Sequence, residues 1–221
     1  MAAVASFHLV RHDRALTALR RLGTDRRSRP AGLAFRRLLG TGRGADTGPG
    51  ADLRRTAVFA VWTDEVSLER HLRDAAGRAG VVERYDVRLR ALAGHGSWRG
   101  YDVLGGLVRG VGEGPIAVLT RADVRLHVWR RFRAAGRSVS RELAAADGLL
   151  AALGVGELPV GRLGTFSLWS GDGAVRSFAA SVVHRDVVRR TRAERWYGEE
   201  LFARFEPYGS SGTWDGRDPL R

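Results

Sequence analysis

Six histidines, His8, His12, His71, His95, His127 and His184, are the side chains of this sequence best suited to hold a metal or move a proton near neutral pH. No His-x-x-x-His pair falls on a predicted helix, so a multi-histidine zinc or non-haem iron site would need assembly from distant segments. There is no Gly-x-Ser-x-Gly elbow, and Glu199 and Glu200 carry no sequence sign of a catalytic pair. There is no cysteine, which removes disulfides, thiolate nucleophiles, zinc ribbons and cysteine-held iron–sulfur clusters. His184 differs from the other five. The segment Ser181-Val-Val-His-Arg-Asp-Val-Val-Arg-Arg-Thr191 has helical periodicity, and positions 184, 187, 188 and 191 share a face that reads His, Val, Val, Thr. An inward imidazole of this kind could serve as a single axial ligand to haem iron, or as a hydrogen-bonded core histidine.

The elements that would position these groups come in two similar sets. Thr56-Ala-Val-Phe-Ala-Val-Trp62 is followed by Asp64 and a helical pattern through Leu68, His71 and Leu72. Gly164-Thr-Phe-Ser-Leu-Trp169 is followed by Asp172 and a helical pattern through Val175 and Phe178. Each reads as a strand ending in Trp, an Asp able to cap a helix, and an amphipathic helix. The alternating strands Tyr85–Leu92 and Leu201–Phe205 come next, and both run into Gly-Ser/Thr-Trp turns at Gly96-Ser97-Trp98 and Gly212-Thr213-Trp214. The opening strands also correspond. Val4–Val10 leads into a helix through Leu16, Leu19 and Leu22, and Ile116–Thr120 leads into one through Leu126, Trp129 and Phe132.

Each half therefore reads as strand–helix–strand–strand–helix–strand, a split β-α-β unit. The predicted fold class is α+β: tandem ferredoxin-like repeats, residues 1–112 and 113–221, divided near Gly110 to Gly114, which together form one dimeric-α/β-barrel-like core. The glycine-rich stretch from Gly40 to Gly50 and the polar tail from Tyr208 to Arg221 read as loops, the tail anchored by Trp214.

The formal net charge is +13 in 221 residues, and every basic residue is arginine. Such charge suits nucleic acid or an anionic membrane surface. With no helix-turn-helix, finger or RNP signature and with scattered arginines, a nucleic-acid partner is not expected. No charge-free apolar run approaches the ~20 residues of a spanning helix, and the N-terminus lacks a basic stretch before its apolar residues. The expectation is a cytoplasmic protein, peripheral at most to the inner membrane surface.

Together, Leu38-Leu-Gly-Thr-Gly-Arg-Gly44, Ala57–Trp62, His95-Gly-Ser-Trp-Arg99, Pro115–Arg121, Gly161–Trp169, His184-Arg185, Trp196-Tyr197, Glu199–Phe205 and Gly212-Thr-Trp-Asp-Gly216 resemble the spheroidene monooxygenase family over nearly the whole chain. The resemblance implies the dimeric α/β-barrel fold, a b-type haem, molecular oxygen, an external electron donor such as ferredoxin, and oxidation of an acyclic carotenoid or similar apolar molecule. It makes His184 the expected iron ligand, with Arg43, Arg99 and His95 as further cofactor-binding candidates. A guanidinium suits a haem propionate because it binds carboxylate bidentately. The sequence departs from the family after Gly44, where it reads Ala-Asp-Thr-Gly-Pro-Gly-Ala-Asp, and in the arginine-rich stretch from Arg20 to Arg37. These departures leave the barrel and haem readings intact and bear on the carotenoid specificity. Two rivals stand beside the oxygenase reading: a haem enzyme of the same fold acting on a nitrogen-containing metabolite, and a haem-free binding module. The distal groups and oligomeric state are left open.

Overall fold

The structure, a computed structural model, describes residues 4–45, 50–105, 110, 112–157 and 161–221. The N-terminal half runs β1 (Val4–His12), α1 (Ala15–Arg27), β2 (Leu33–Gly42), β3 (Ala51–Trp62), α2 (Glu65–Ala75) and β4 (Val81–Gly96). The C-terminal half runs β5 (Ile116–Val124), a 3-10 turn at Leu126–Val128, α3 (Trp129–Ala144), β6 (Leu149–Gly156), β7 (Arg162–Trp169), α4 (Asp172–Ala179), α5 (Val182–Ala193) and β8 (Tyr197–Gly212). The strands close a barrel in the order β1-β3-β2-β6-β7-β5-β8-β4. Within each half the order is fourth, first, third, second, the ferredoxin-like order, so the tandem repeat and its barrel are both present. The N-terminal seam is long, from Tyr85↔Gly212 to Gly96↔Leu201, whereas β2 meets β6 through Gly40↔Gly156 and Thr41↔Val155.

Strand alternation explains why the barrel closes. On β1, Ala5, Phe7 and Leu9 point inward, while Ser6 and His8 point to the helix side. Phe7 stacks on Phe166 across the interior with ring centroids 3.8 Å apart, and Phe59, Phe205, Trp98 and Trp214 fill the rest of the same cluster. The interior is thus a packed core, and the room for chemistry lies outside it, between sheet and helices.

The register fixes residue equivalences between the halves. Val4 pairs with Trp62 as Ile116 pairs with Trp169. Ser6 pairs with Arg88 as Val118 pairs with Arg204, and His8 pairs with Asp86 as Thr120 pairs with Phe202. The Trp turns are also exchanged. Glu199 accepts from Ser97 Oγ and the Gly100 N–H, and Glu83 accepts from Thr213 Oγ1 and the Gly216 N–H. Each half thereby caps the other's turn.

Several sequence expectations need correction. Leu16 and Leu19 are exposed, and α1 instead buries Ala18, whose small side chain lets the helix lie close on β3. Leu126 is also exposed. Asp64 caps α2 as expected, accepting from the Ser67 N–H. Asp172 is not a cap: it is the first residue of α4, and its carboxylate pairs with Arg176 and Arg204. The glycines at 40 and 42 lie in β2, because a flat glycine-rich edge suits close strand approach to β6. The tail is a strand as far as Gly212, since Ser210 and Ser211 continue the β4 ladder. Residues 46–49 of the departure after Gly44, and Val111 at the junction between the halves, lie outside the described residues.

Candidate functional site

The last helical segment of the C-terminal half is where the repeat breaks. One helix, α2, follows the Trp strand in the first half; two, α4 and α5, follow it in the second. Helix α5 begins at the Ser181 cap, whose Oγ accepts from the His184 N–H, and packs on α3 and α4. His184 is half-buried, with its ring 5.0 Å from that of Phe178. Phe178 in turn lies against Trp169 on the outer face of the sheet. Trp169 therefore packs between sheet and helix rather than inside the barrel, and Trp196 does likewise beside Val124 and Val128.

The His184 Nδ1 lies 3.3 Å from the Ala179 carbonyl. A carbonyl there fixes Nδ1 as the protonated nitrogen and leaves the Nε2 lone pair free, the arrangement metal-bound imidazoles use. The other histidines are placed differently. His8 has both nitrogens engaged, by Ser6 and Asp86. His95 is exposed, stacked on Phe202, with Nε2 3.8 Å from Glu200. His127 is exposed. His8 and His12 are four apart in sequence but on a strand, where that spacing sets them roughly 13 Å apart. Among the described residues, no group of three or more His, Asp or Glu is arranged to hold a metal ion. A haem needs only one protein donor, and the anchored imidazole of His184 fits that requirement.

Arg99 sits in the Trp98 turn with φ 54°, its Nε 3.8 Å from Glu157. Its backbone N–H donates to Glu199. Burial would raise the Glu199 pKa, but the Gly100, Ser97 and Arg99 donors and the Arg121 charge hold it at about 2. Arg43 is exposed just beyond β2. Ala45, two residues on, packs in the same cluster as Trp169 and Phe178, and its carbonyl accepts from Ser140 of α3. The contacts of His184, of Arg99 and of His95 share no residue, so the sequence candidates are not gathered into one cluster.

A second polar constellation, which sequence reading missed, lies on the outer face of the N-terminal half. Ser6 Oγ is 2.8 Å from His8 Nε2, and His8 Nδ1 is 2.7 Å from Asp86 Oδ1. Trp62 Nε1–H donates to Ser6 Oγ at 2.9 Å, and Arg84 Nε–H donates to Asp86 Oδ2 at 2.6 Å. Burial alone would raise the Asp86 pKa, yet the contacts with His8 and Arg84 hold it down at about 2. His71, from α2, places its ring 5.5 Å from His8 and 4.8 Å from Trp62. Burial, with repulsion from His8, Arg84 and Arg78, depresses its pKa to about 3. Ser6, His8 and Asp86 line a cavity of about 260 Å³ beneath Leu68 and Leu72. The only signal in the sequence was Ser and His two apart on a strand, since Asp86 joins them through sheet register.

Fold and site together define a single-chain barrel of two ferredoxin-like repeats, with an additional helix, bearing His184, in the second. The crystal structure of an aldoxime dehydratase has the same fold, with a TM-score of 0.62 at 13% identity over 93% of this chain and 81% of that one. A crystal structure of an aldoxime dehydratase in complex with butyraldoxime gives a TM-score of 0.61 at 13% identity, covering 93% of this chain and 79% of that one. No family model matches the chain. Among curated proteins it is 31% identical over 192 residues to spheroidene monooxygenase of Cereibacter sphaeroides, covering 84% of this chain and 59% of that protein. It is 30% identical to those of Rhodobacter capsulatus, with 84% and 80% covered, and of Rubrivivax gelatinosus, with 84% and 73% covered. The chain belongs to the spheroidene monooxygenase family. It spans about three-fifths of the length of the Cereibacter sphaeroides relative.

Proposed function

We propose that this chain is a haem-dependent monooxygenase that oxidises a long apolar, carotenoid-like substrate with molecular oxygen. The observation that carries the reading is the His184 imidazole, anchored through Nδ1 on the Ala179 carbonyl in a family whose curated members are monooxygenases. A bound haem b would supply the oxygen chemistry, with electrons from an external donor such as ferredoxin. The chain's own residues would hold and shield it. His184 Nε2 would supply the iron with its lone pair, Ser181 and Ala179 would keep the imidazole in place, and Phe178 would form an apolar wall beside it. Of the two arginine candidates, Arg43 is better placed to meet a propionate, because its turn reaches the Trp169–Phe178 layer. Arg99 and His95 face the carboxylates Glu157 and Glu200. Residues 1–112 and 113–221 act as one compact unit, the second repeat bearing the ligand.

Among the described residues no helix is long and apolar enough to cross a membrane. The +13 charge would hold the protein peripherally on an anionic cytoplasmic leaflet, where a lipid-soluble substrate resides. The test supplies haem-loaded protein with reductant, labelled dioxygen and acyclic carotenoids in anionic liposomes. Keto or hydroxy products carrying the label are expected. Turnover of nitrogen-containing metabolites with none of carotenoids would overturn the substrate assignment.

A further inference from the structure

The N-terminal constellation takes no part in the oxygenase reading, and the fold does not require it. At the positions equivalent to Ser6, His8 and Asp86, the second half carries Val118, Thr120 and Phe202. The same sheet with the same helix-side layer is thus built there without a Ser–His–Asp chain. Burying three linked polar groups where apolar ones suffice costs stability unless every member is satisfied. Here they are satisfied in the order that activates a hydroxyl: Ser6 O–H donates to His8 Nε2, and His8 Nδ1–H donates to a carboxylate that stays ionised.

The surroundings supply the remaining parts. Trp62 occupies one Ser6 lone pair and fixes the hydroxyl, which lies fully buried at the floor of the cavity. Arg88 stands directly across from Ser6 in the β1–β4 register and lines the same cavity, held by Glu65 at 3.2 Å and Glu69 at 2.7 Å. The walls include Leu68, Leu72 and Gly209, whose missing side chain leaves space beside Arg88. A space of about 260 Å³ accepts a short acyl group rather than a long lipid.

We propose that Ser6, His8 and Asp86 form a second, hydrolytic site that cleaves short-chain esters. Ser6 Oγ bonds to the acyl carbon as its proton passes to His8 Nε2. The ester C–O bond breaks, and His8 returns the proton to the departing alkoxide. Water then attacks the acyl-serine, giving its proton to His8, which protonates Ser6 as the Oγ–C bond breaks and the carboxylic acid leaves. Ser6 and His8 are catalytic residues, and Asp86 is a positioning residue that orients His8.

The test treats the full chain with diisopropyl fluorophosphate, where a P–Oγ bond replaces P–F, and measures p-nitrophenyl acetate hydrolysis in parallel. Cleavage after arginine releases residues 1–11, in which Ser6 is the only serine, so the adduct is located without ambiguity. The phosphoryl mass is expected on that peptide, with ester turnover that His8→Gln lowers by about 100-fold or more. Asp86→Asn should lower kcat while leaving KM unchanged, a split that mere loosening of the cavity would not give. Each variant is checked for native circular dichroism and, where one fails to fold, the labelling of the unaltered protein decides alone. A folded protein that takes no label at Ser6, or labels equally fast with His8→Gln, overturns the proposal.

Discussion

Trp62 and Trp169 occupy the same post in the two halves, yet their indole N–H groups reach different strands. Each ends the third strand of its half and pairs with the first residue of the opening strand. Trp62 Nε1–H donates to Ser6 on the neighbouring strand β1, whereas Trp169 Nε1–H donates to Ser167 on its own strand, both at 2.9 Å. The partner of Ser167 on β5 is Val118, the equivalent of Ser6. The hydroxyl therefore sits one strand over in the second half, where Val118 stands at the position of Ser6.

The same symmetry makes the seam between β4 and β8 depend on two glycines. Gly96 and Gly212 have φ of +87° and +81°, and a Cβ on either would lie 2.0 Å from a carbonyl oxygen of the facing strand. Gly96→Ala and Gly212→Ala should each destabilise by more than about 2 kcal/mol, combining left-handed strain with a backbone clash. Gly100→Ala, at φ +74° with nothing near its Cβ, should cost only about 1 kcal/mol. Urea unfolding of the three variants checks the order; equal losses would contradict the close approach.

Stability should fall as pH drops from about 6.5, and His71 should be a main cause. Its folded pKa of about 3 lies below the unfolded value, so below about 6.5 the unfolded chain binds a proton that the folded chain refuses. This contribution is fully present above pH 6.5 and is lost as pH falls toward 3. His12, also depressed by burial, acts in the same direction. Asp86, held at about 2, loses its contribution only below about pH 4. His71→Phe should flatten the dependence of melting temperature on pH between 6.5 and 4.5; an unchanged slope would show that His71 titrates freely.

Much of this architecture was legible in the sequence because the Trp-ended strands and the Gly-Ser/Thr-Trp turns recur in order. Strand period and turn glycines are local signals. The inward face of α1 was not legible, since Leu16 and Leu19 outrank Ala18 in hydrophobicity while close approach to β3 favours the smaller side chain. Helical phasing predicted the helix that carries His184 and Thr191, but not the position of His184 outside the barrel, half-buried against Phe178. The Ser6–His8–Asp86 chain was invisible because Asp86 is 78 residues from His8 and meets it only through sheet register.

Association with lipid should be electrostatic. With a net charge of +13, the protein should sediment with phosphatidylserine-containing vesicles at low salt and be released well before 1 M salt, where the Debye length falls to about 3 Å. Binding to neutral vesicles of equal strength, or indifference to salt, would place the attraction elsewhere.

The most direct measurement is the visible spectrum of protein produced with haem supplied, for the unaltered chain and for His184→Ala, His8→Ala and His127→Ala. A Soret band at about one haem per chain is expected in the unaltered protein and in the His8 and His127 variants, with its loss or sharp reduction in His184→Ala. A normal Soret band and stoichiometry in folded His184→Ala would contradict the ligand assignment, and no Soret band in any of the four would contradict haem dependence itself.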